Sequence, residues 1–387
     1  MRKPLQISRV VIVYKHTHKR HTLNHLHSIA EQFESASRVL DVQEYGSGNV
    51  NDTFLVTLDS ETEKHFVLQR INQHVFRRPE LIVLNIRTFT QHVAERLRHE
   101  RADPSRRWQV PRLIPTRGGQ DYFLDSEGSF WRAISYVQGS QSWTKVQSAG
   151  HAQEVGYALG RFHSLISDLE IETLHDTLEG FHITPRYLRH YDEVLASGVQ
   201  PTSPEVRYGM QFVEERRQCA SALEDAREQG KLFLRPIHGD PKVDNVMIDQ
   251  VTGQAVSIVD LDTVKPGLVH YDIGDCLRSC CNPLGEETHD LDSVCFETNL
   301  ARAILRGYLA ASNGFLQEND YAYLYDCIRL ITFELGLRFF TDHLEGNVYF
   351  KARYPDHNLW RALVQFKLAA SIEAQEPEIR SIIGELR

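Results

Sequence analysis

The 387-residue chain lacks the features that mark fibrous, membrane-spanning and disulfide-rich proteins. It has only 14 Pro and 23 Gly residues, too few for a low-complexity or collagen-like chain. Its longest apolar run near the N-terminus, residues 10–13, is far shorter than the roughly 18 residues of a membrane span and too short for a signal peptide. The six cysteines form no CxxC pair, which predicts free thiols in a reducing compartment. We therefore expect a soluble cytoplasmic protein.

An excess of positive charge is also lacking. The 43 Lys and Arg residues are outnumbered by 52 Asp and Glu residues, which gives a net charge of −9. General nucleic-acid binders need an excess of cations, so a nucleic-acid partner is not expected. Apolar residues make up 41% of the chain and charged residues 25%. A chain of this length and composition predicts a globular protein of two or three domains.

The N-terminus departs from this balance. The first thirty residues hold six Lys or Arg, five His and no acid. His16, His18 and His21 could be read as a metal cluster, but no carboxylate or cysteine completes a site. A flexible basic arm over residues 1–28 is the favoured interpretation. An amphipathic helix is then predicted over Ile29–Leu40, which has apolar residues at helical spacing.

Residues 29–137 have mainly strand character and predict a small N-terminal lobe. The β-rich runs Val39–Tyr45 and Thr53–Leu58 flank the Gly- and Asn-rich segment Gly46–Asp52, which predicts a hairpin. A third strand is predicted at His65–Ile71 and a helix at Leu81–Leu97. Further strands are predicted at Trp108–Ile114, Tyr122–Asp125 and Phe130–Val137.

Residues 138–387 predict a larger, mainly helical C-terminal lobe. One short β segment, Asn245–Asp260, interrupts the helical pattern. Helices are predicted at Ala149–Leu169, Ser203–Glu228, Leu291–Ala311, Asp320–Leu344 and Leu359–Gln375. The expected fold class is therefore α+β, with a small β-rich lobe followed by a helical lobe.

The most informative motif is His238-Gly239-Asp240-Pro241-Lys242-Val243-Asp244-Asn245, followed by two short strand patterns that end at Asp260. The midpoint between Asn245 and Asp260 falls between Thr252 and Gly253. If the hairpin closes there, Asn245 and Asp260 are cross-strand neighbours, roughly 5 Å apart. Asp240 lies in the loop that leads into the same end of the hairpin. Two carboxylates and one amide oxygen are thus predicted to converge.

Phosphoryl transfer from a nucleotide needs this combination. A hydroxyl that attacks a γ-phosphate needs a carboxylate to orient it and accept its proton, and Mg²⁺ on the phosphates needs oxygen ligands. The alternative is that HGD and Asp-x4-Asn are ordinary turn sequences, because Asp and Asn are common in turns. The hairpin and its closing Asp260 favour the kinase-like interpretation.

Residues 238–262 resemble the signature of the aminoglycoside phosphotransferase and choline kinase superfamily. This resemblance implies a bilobal protein-kinase-like fold. Within the superfamily, several segments are most similar to the N-acetylhexosamine 1-kinase branch. They are Gly46–Phe54, Phe66–Asn72, Asp260–Gly267, Tyr271–Asp275 and Asp342–Phe350.

The resemblance also implies roles for single residues. Asp240 would be the catalytic base, and Asn245 and Asp260 would bind Mg²⁺. Asp262 would be a further metal or substrate ligand, with a structural turn as the alternative. A loop whose backbone N–H groups approach the phosphates of ATP would consist of Gly46, Ser47, Gly48, Asn49 and Asn51.

One position departs from the kinase pattern. Kinase-like folds generally carry a Lys or Arg on the third strand to hold the α- and β-phosphates, but Gln69 stands here with Arg70 beside it. Gln69 and Arg70 are the candidate phosphate contacts at this position, and strand alternation predicts that their side chains point to opposite faces of the sheet. Tyr136 and Val137 are expected at the crossing between lobes, where backbone groups could pair with adenine.

Other polar residues receive structural interpretations. Asp272 and Asp275 flank the start of a helical run and predict an N-cap and a first-turn acid. His163 lies among apolar residues and predicts a core histidine.

The sequence therefore predicts an ATP- and Mg²⁺-dependent kinase of a sugar hydroxyl, with the anomeric hydroxyl of an N-acetylhexosamine as the specific hypothesis. An amino alcohol or aminoglycoside acceptor (choline, ethanolamine or homoserine among them) is the alternative. A nucleotide-binding pseudokinase is a third. The oligomeric state is not predicted.

Overall fold

A computed structural model describes residues 25–33, 37–46, 50–100, 105–201 and 203–387. Most of the predicted basic arm lies outside these residues. The chain divides into two compact units. The first unit contains the described residues up to Val83 together with Arg112–Tyr136, and the second contains Leu84–Pro111 and Val137–Arg387.

The first unit is built on a six-stranded antiparallel sheet. Its order is β1-β2-β3-β6-β4, with β5 paired to the end of β6. The strands are β1 Val39–Glu44, β2 Asp52–Leu58, β3 His65–Ile71, β4 Leu113–Ile114, β5 Phe123–Leu124 and β6 Phe130–Ser135. The predicted hairpin is confirmed, because β1 and β2 pair antiparallel. The third strand is confirmed with both of its ends.

One face of this sheet carries an apolar cluster that includes Phe54, Phe66 and Trp131. The predicted helix over Ile29–Leu40 is wrong, because its C-terminal part is the start of β1. Val39 pairs with Leu58 across the hairpin, and Leu40 is 46% exposed rather than on a buried helical face. Strand pairing therefore overrides the helical spacing of these apolar residues.

The second unit is mainly helical. Its described helices are α1 Pro79–His99 (most of which lies in this unit), α2 Ala149–Leu165, α3 Thr184–Ala196, α4 Pro204–Arg216, α5 Ala222–Glu228, α6 Val269–Cys280, α7 Thr298–Ala311, α8 Glu318–Ala322, α9 Leu324–Leu344, α10 His357–Ala374 and α11 Glu376–Leu386. Two small antiparallel sheets accompany them. They contain β7 Ser140–Gln141, β9 Val246–Asp249 and β10 Ala255–Ile258 in one sheet, and β8 Arg235–Ile237 and β11 Lys265–Gly267 in the other.

Helices α2 and α7 pack with their backbones in direct contact. Gly156 and Gly160 on α2 face the carbonyl oxygens of Ile304 and Tyr308, and a Cβ at either glycine would overlap with them. Gly307 on α7 faces α2 in the same way. The seam between these two helices therefore requires glycine at all three positions.

Three predicted helices differ from the structure. The pattern over Ser203–Glu228 is split into α4 and α5 by the 3₁₀ turn Arg217–Cys219, and the pattern over Asp320–Leu344 is divided between α8 and α9 at Tyr323. Apolar spacing continues across these breaks, so periodicity does not detect them. Helix α7 begins only at Thr298, because residues 291–297 form a turn and irregular backbone in which the Phe296 N–H donates to Ser371 Oγ at 3.0 Å.

All six cysteines are free thiols, as predicted. Within the described residues, no helix is both long enough and apolar enough to cross a membrane.

Candidate active site

The turn His238–Asp240 is shaped by a glycine and held by a buried carboxylate. Gly239 has φ +88°, and a Cβ there would lie 2.6 Å from the Thr263 carbonyl oxygen, so the turn requires glycine. The Asp272 carboxylate accepts the backbone N–H groups of His238 and Gly239, both at 2.7 Å. Burial alone would raise the pKa of Asp272, but these bonds and His163 Nε2 at 2.9 Å hold it below its ordinary value. Thr263 Oγ1 donates to the His238 carbonyl at 2.9 Å.

Side chains also satisfy the remaining backbone groups of this turn. His182 Nε2 donates to the Gly239 carbonyl at 2.7 Å, and Asn245 Nδ2 donates to the Asp240 carbonyl at 2.7 Å. The Asp240 N–H donates to His238 Nδ1 at 3.2 Å. Every backbone N–H and C=O of His238, Gly239 and Asp240 therefore has a side-chain partner. The backbone from which the Asp240 side chain projects is therefore held in one conformation.

Asp240 forms an ion pair with Lys242. Lys242 Nζ lies 3.1 Å from Asp240 Oδ2, and the two side chains are 31% and 30% exposed. Burial alone would lower the pKa of Lys242, but the carboxylates of Asp240, Asp244 and Asp260 raise it above its ordinary value. Burial raises the pKa of Asp244. A carboxylate and an ammonium group are thus held side by side at a solvent-reachable position.

The hairpin after this turn is shifted by one residue from the predicted register. Ile258 pairs with Val246, and the Val259 N–H donates to the Asn245 carbonyl at 2.9 Å. The predicted direct pairing of Asn245 with Asp260 is therefore wrong. The cause is the turn, which closes between Val251 and Thr252, one residue earlier than predicted, since the Asp249 N–H donates to the Gln254 carbonyl and Ala255 pairs with Ile248. That closure alone would shift the register by two residues, and a bulge between Ala255 and Ser257, which inserts an extra residue into β10, restores one of them. Asp260 still follows β10 by two residues.

The orientation of Asn245 follows from its partner. The Asp240 carbonyl can only accept, so the atom facing it must be the amide nitrogen of Asn245. The amide oxygen therefore points away from this carbonyl and remains able to act as a ligand. Asn245 itself is 6% exposed.

Asp260 has a strained backbone. Its φ of 64° and ψ of 58° are left-handed, a conformation that costs a non-glycine residue roughly 1–2 kcal/mol. Asp260 is exposed, whereas Asp262, two residues later in the 3₁₀ turn Leu261–Thr263, is 3% exposed. Strained residues of this kind cluster at functional sites.

The available donors of this region are oxygen atoms, which suit a hard divalent cation. Within the described parts of the chain, no group of three His, Cys, Asp or Glu side chains could hold a metal ion by itself. Mg²⁺ is commonly bound by one or two carboxylates together with waters and substrate phosphates. Asn245 and Asp260 fit that mode, in which the protein supplies only part of the ligand set.

The predicted phosphate loop is described only at its two ends. Gly46 has φ +76°, which a glycine adopts without strain. Asn51 Oδ1 accepts the backbone N–H of Asn72 at 2.9 Å and so ties the loop to the end of β3. Ser47, Gly48 and Asn49 lie outside the described residues.

Gln69 and Arg70 point to opposite faces of β3, as predicted. Arg70 pairs with Asp52 and lies over the Trp131 ring at 5.8 Å. Gln69 Oε1 on the other face accepts Nε and Nη2 of Arg132 at 3.1 and 2.7 Å. Arg132 lies on β6 directly opposite Gln69 and is fully buried. The neutral third-strand residue therefore holds a cation that comes from the neighbouring strand.

Tyr136 and Val137 stand at the boundary between the two units. The Tyr136 ring makes edge contacts with Tyr45 and His65, with ring centroids 6.1 and 5.5 Å apart. Val137 packs with Met247 and Val256 in a small apolar cluster of the second unit.

The second unit contains a pocket of about 380 Å³ around Arg338. This volume lies in the roughly 300–1,000 Å³ range of small-molecule sites. The sequence motifs do not single out Arg338. One signal was present, since the polar residues Glu334, Arg338 and Asp342 recur every four positions in the otherwise apolar helix α9. The lining includes Tyr187, Arg338, Thr341, Asp342, Tyr349 and Phe350.

Aromatic rings surround the Arg338 guanidinium. Its Cζ lies 5.0 Å from the ring centroids of Phe181 and Tyr187, 5.4 Å from that of Phe350 and 5.9 Å from that of Tyr349. Burial alone would lower the pKa of Arg338, but Tyr187, Tyr349, Glu334 and Asp240 raise it. Glu334, one turn before Arg338 on α9, contacts His182 Nδ1 at 3.0 Å, and His182 Nε2 donates to the carbonyl of Gly239, the neighbour of Asp240.

The carboxylates that line the same pocket already have partners. Asp342 accepts the backbone N–H groups of Tyr349 and Phe350 at 2.7 and 3.1 Å. Glu345 accepts His190 Nε2 at 2.9 Å. Glu179 is 83% exposed and lies at the rim. These partners orient the carboxylates without removing their charge, so the lining carries three carboxylates together with the guanidinium of Arg338.

Neither Asp272 nor Asp275 is an N-cap, so that part of the prediction is wrong. Helix α6 begins at Val269, with Asp272 as an acid in its first turn and Asp275 further along. Asp272 binds the His238–Asp240 turn, and Asp275 pairs with Arg278 at 2.8 Å. The prediction for His163 is confirmed, since it is a fully buried core residue that contacts Asp272 and Tyr308.

Comparison with known protein families agrees with this geometry. The model of the phosphotransferase enzyme family (APH) matches residues 41–319, which is more than half of the chain. The chain belongs to the phosphotransferase enzyme family. The prediction that it is a phosphotransferase of this superfamily is therefore confirmed.

Solved structures share the fold of this phosphotransferase. An aminoglycoside phosphotransferase from Alicyclobacillus acidocaldarius is 15% identical with a TM-score of 0.61, covering 92% of this chain and 96% of that one. A microcompartment-associated aminopropanol kinase is also 15% identical, with a TM-score of 0.62 and coverages of 92% and 98%. The amicoumacin kinase hAmiN, in complex with AMP-PNP, Ca²⁺ and its substrate, is 14% identical, with a TM-score of 0.53 and 96% of both chains covered. At these identities the likeness concerns the fold, and it confirms the predicted α+β protein-kinase-like fold class.

Proposed function

We propose that this phosphotransferase is an ATP- and Mg²⁺-dependent small-molecule kinase that phosphorylates a sugar hydroxyl. The specific acceptor we propose is the anomeric hydroxyl of an N-acetylhexosamine. The observation that carries the proposal is the Arg338 pocket, whose helix α9 contacts the turn of Asp240 through Glu334 and His182. The motifs that resemble the N-acetylhexosamine 1-kinase branch, among them Asp342–Phe350 beside this pocket, support the same acceptor.

In this proposal the His238–Asp240 turn and the residues beside it perform the phosphoryl transfer. Asp240 orients the acceptor hydroxyl and accepts its proton as the oxygen attacks the γ-phosphorus. Lys242 lies beside Asp240, where its ammonium group stabilises the negative charge of the transferring phosphoryl group. Asn245 and Asp260, with Asp262 as a further candidate, hold the Mg²⁺ that neutralises charge on the nucleotide phosphates. The amicoumacin kinase, whose solved complex contains AMP-PNP and Ca²⁺, supports a nucleotide and a divalent cation in general terms.

The first unit supplies the nucleotide contacts in this proposal. Gly46 to Asn51 lie over the phosphates, and Tyr136 and Val137 pair with adenine. Gln69 orients Arg132, and Arg132 provides the positive charge that position 69 lacks. The third-strand cation of other kinase-like folds is thereby replaced by one from β6, and Arg70, on the opposite face, contributes no phosphate contact.

The position of Arg338 among the aromatic rings favours a neutral acceptor. A guanidinium surrounded by aromatic rings repels the ammonium group of choline or ethanolamine. It can donate hydrogen bonds to a sugar hydroxyl or to an acyl carbonyl oxygen. The rings around it, including Tyr187 and Tyr349, offer flat apolar faces to a sugar ring.

A cationic acceptor, such as an amino alcohol or an aminoglycoside, is the second candidate. Glu179, Asp342 and Glu345 favour it, because all three line the pocket. The aminopropanol kinase and aminoglycoside phosphotransferase that share the fold also favour it. The partners of Asp342 and Glu345 weigh against it, since those carboxylates already accept hydrogen bonds.

The test is a coupled assay of ADP release with Mg-ATP and two acceptor sets. One set contains N-acetylglucosamine and N-acetylgalactosamine, and the other contains choline, ethanolamine, homoserine and kanamycin. We expect turnover with the first set, a product phosphorylated at the anomeric oxygen by ³¹P NMR, and background rates for an Asp240→Asn protein prepared in parallel. Turnover with the cationic set alone would support the second candidate. Nucleotide binding without transfer to any acceptor would support a pseudokinase.

A further inference from the structure

His182 occupies an unusual position next to the catalytic turn. It has φ 66° although it is not glycine, and it is 4% exposed. Its ring packs between Phe181, at a centroid distance of 3.9 Å, and Tyr271, at 5.4 Å. A strained and enclosed histidine of this kind is held in one orientation by its surroundings.

Both ring nitrogens of His182 face oxygen atoms. Nε2 lies 2.7 Å from the Gly239 carbonyl, and Nδ1 lies 3.0 Å from Oε1 of Glu334. A carbonyl oxygen can only accept, so Nε2 must carry a hydrogen. A neutral imidazole would then present a lone pair to the Glu334 carboxylate, which repels it. Both contacts are favourable with an ionised Glu334 only when the ring is an imidazolium.

Glu334 is suited to this pairing. It is 1% exposed in the middle of helix α9, where an unpaired carboxylate would be costly. Its second oxygen, Oε2, accepts Thr184 Oγ1 at 2.7 Å. Each carboxylate oxygen of Glu334 therefore accepts one hydrogen bond, from His182 or from Thr184. Of these two donors, His182 also contacts the His238–Asp240 turn.

We propose that His182, as an imidazolium paired with Glu334, is a positioning residue that fixes the Gly239 carbonyl and thereby the Asp240 side chain. Glu334 and Arg338 are one turn apart on α9, so the pair also joins the helix of the acceptor pocket to the turn of the catalytic base. The kinetic part of this inference rests on the proposed kinase function. The protonation state of His182 does not.

The surrounding charges support the protonated form. Burial alone would lower the pKa of His182, but Glu334 and, more weakly, Asp275 and the Gly239 carbonyl raise it above 6.5. The other titratable or charged groups packed near the ring are Tyr187 on α3, Tyr271 on α6 and Arg338 on α9. Because the folded-state pKa is raised, the stabilisation is complete below the unfolded value of about 6.5 and is lost as the pH rises through the folded value.

The decisive variant is Glu334→Gln. A glutamine amide can donate to Nδ1 of a neutral ring and accept from Thr184, so it keeps every hydrogen bond without the charge. In the wild-type protein we expect ¹⁵N NMR to show both His182 nitrogens protonated at pH 6.5, with the signal assigned by its loss in His182→Gln. In Glu334→Gln we expect the neutral Nε2–H tautomer at pH 7.5. The wild-type kcat should fall as the pH rises through the His182 pKa, and the kcat of Glu334→Gln should not.

His182→Gln tests the positioning role itself. Its amide can still donate to Gly239, but its oxygen then faces Glu334, so we expect kcat to fall about 10- to 100-fold from misplacement of the base. The KM for Mg-ATP should stay within about twofold, because no nucleotide contact changes.

The outcomes separate the two proposals. A neutral His182 in the wild-type protein at pH 6.5 would overturn the imidazolium assignment, whether or not any acceptor is found. A protonated His182 together with an unchanged kcat in His182→Gln would overturn the positioning role. A protonated His182 that becomes neutral in Glu334→Gln supports the ion pair even if the acceptor assay returns no turnover, and that second result would count only against the proposed function.

Discussion

Replacing Asp272 with alanine should destabilise the second unit more than any change at the surface. The carboxylate is fully buried and accepts the backbone N–H groups of His238 and Gly239 and the ring nitrogen of His163. Alanine would leave the two backbone N–H groups without partners. Each buried unsatisfied group costs about 1–3 kcal/mol, so the expected loss in the free energy of unfolding is about 2–6 kcal/mol.

Two further variants calibrate this loss. Asp272→Asn keeps one acceptor oxygen, so about half of the loss is expected. Glu228→Gln changes an exposed carboxylate of the same unit and should shift the free energy of unfolding by less than about 0.5 kcal/mol. Urea unfolding at pH 7 followed by circular dichroism measures all three. Asp272 has a lowered pKa, so its contribution is present above the unfolded value of about 3.9 and is lost only as the pH falls below it.

The reasoning would be refuted if Asp272→Ala unfolded at the same urea concentration as Glu228→Gln. That result would mean that water or a rearranged turn satisfies both N–H groups at no cost. A loss of stability confined to Asp272→Ala, with Asp272→Asn unchanged, would show that the charge of the carboxylate contributes nothing.

Three other changes test the site directly. Asp240→Asn should lower kcat about 10²- to 10⁴-fold with little change in Mg-ATP affinity measured by calorimetry, because the base acts on the acceptor; a normal kcat would contradict the role of Asp240. Asp260→Ala and Asp260→Gly should both weaken Mg-ATP binding, but the glycine variant should be roughly 1–2 kcal/mol more stable than the alanine variant, because glycine adopts φ 64° without strain; equal stabilities would show that the backbone is not strained. Arg338→Met should raise the KM for the sugar about 10- to 100-fold, since a hydrogen bond to a charged group is worth about 1.5–3 kcal/mol, while the KM for Mg-ATP stays constant; a raised activity on choline with no loss on the sugar would favour the cationic acceptor.

Much of the fold follows from local patterns. The strand His65–Ile71 is predicted with both ends because alternation is a local property and its neighbours are clear turn residues. The register of β9 and β10 is missed by one residue, because the sequence shows neither that the turn closes at Asp249–Gln254 nor that a bulge follows near Ala255. The predicted helix over Ile29–Leu40 is wrong for a similar reason, since only the pairing of Val39 with Leu58 on the partner strand shows that Val39 is extended.

The site is harder to predict than the fold. Asp240 and Asn245 are only five residues apart, so their proximity can be read from the sequence. Asp272 and His182 reach the same turn from 33 and 57 residues away in the chain, and neither lies in a spacing that suggests it. Long-range contacts of this kind depend on how helices pack, which local periodicity does not encode.

The glycine seam between α2 and α7 has a consequence for laboratory evolution of this enzyme. Gly156, Gly160 and Gly307 leave no space for even a methyl group, and His163 and Tyr308 beside the seam lead to Asp272. In a mutant library that varies these three glycines, most variants would not fold. Val348 and Tyr349 line the pocket and are exposed. Mutagenesis for a new acceptor preference should therefore begin at these two residues and leave the glycine seam unchanged.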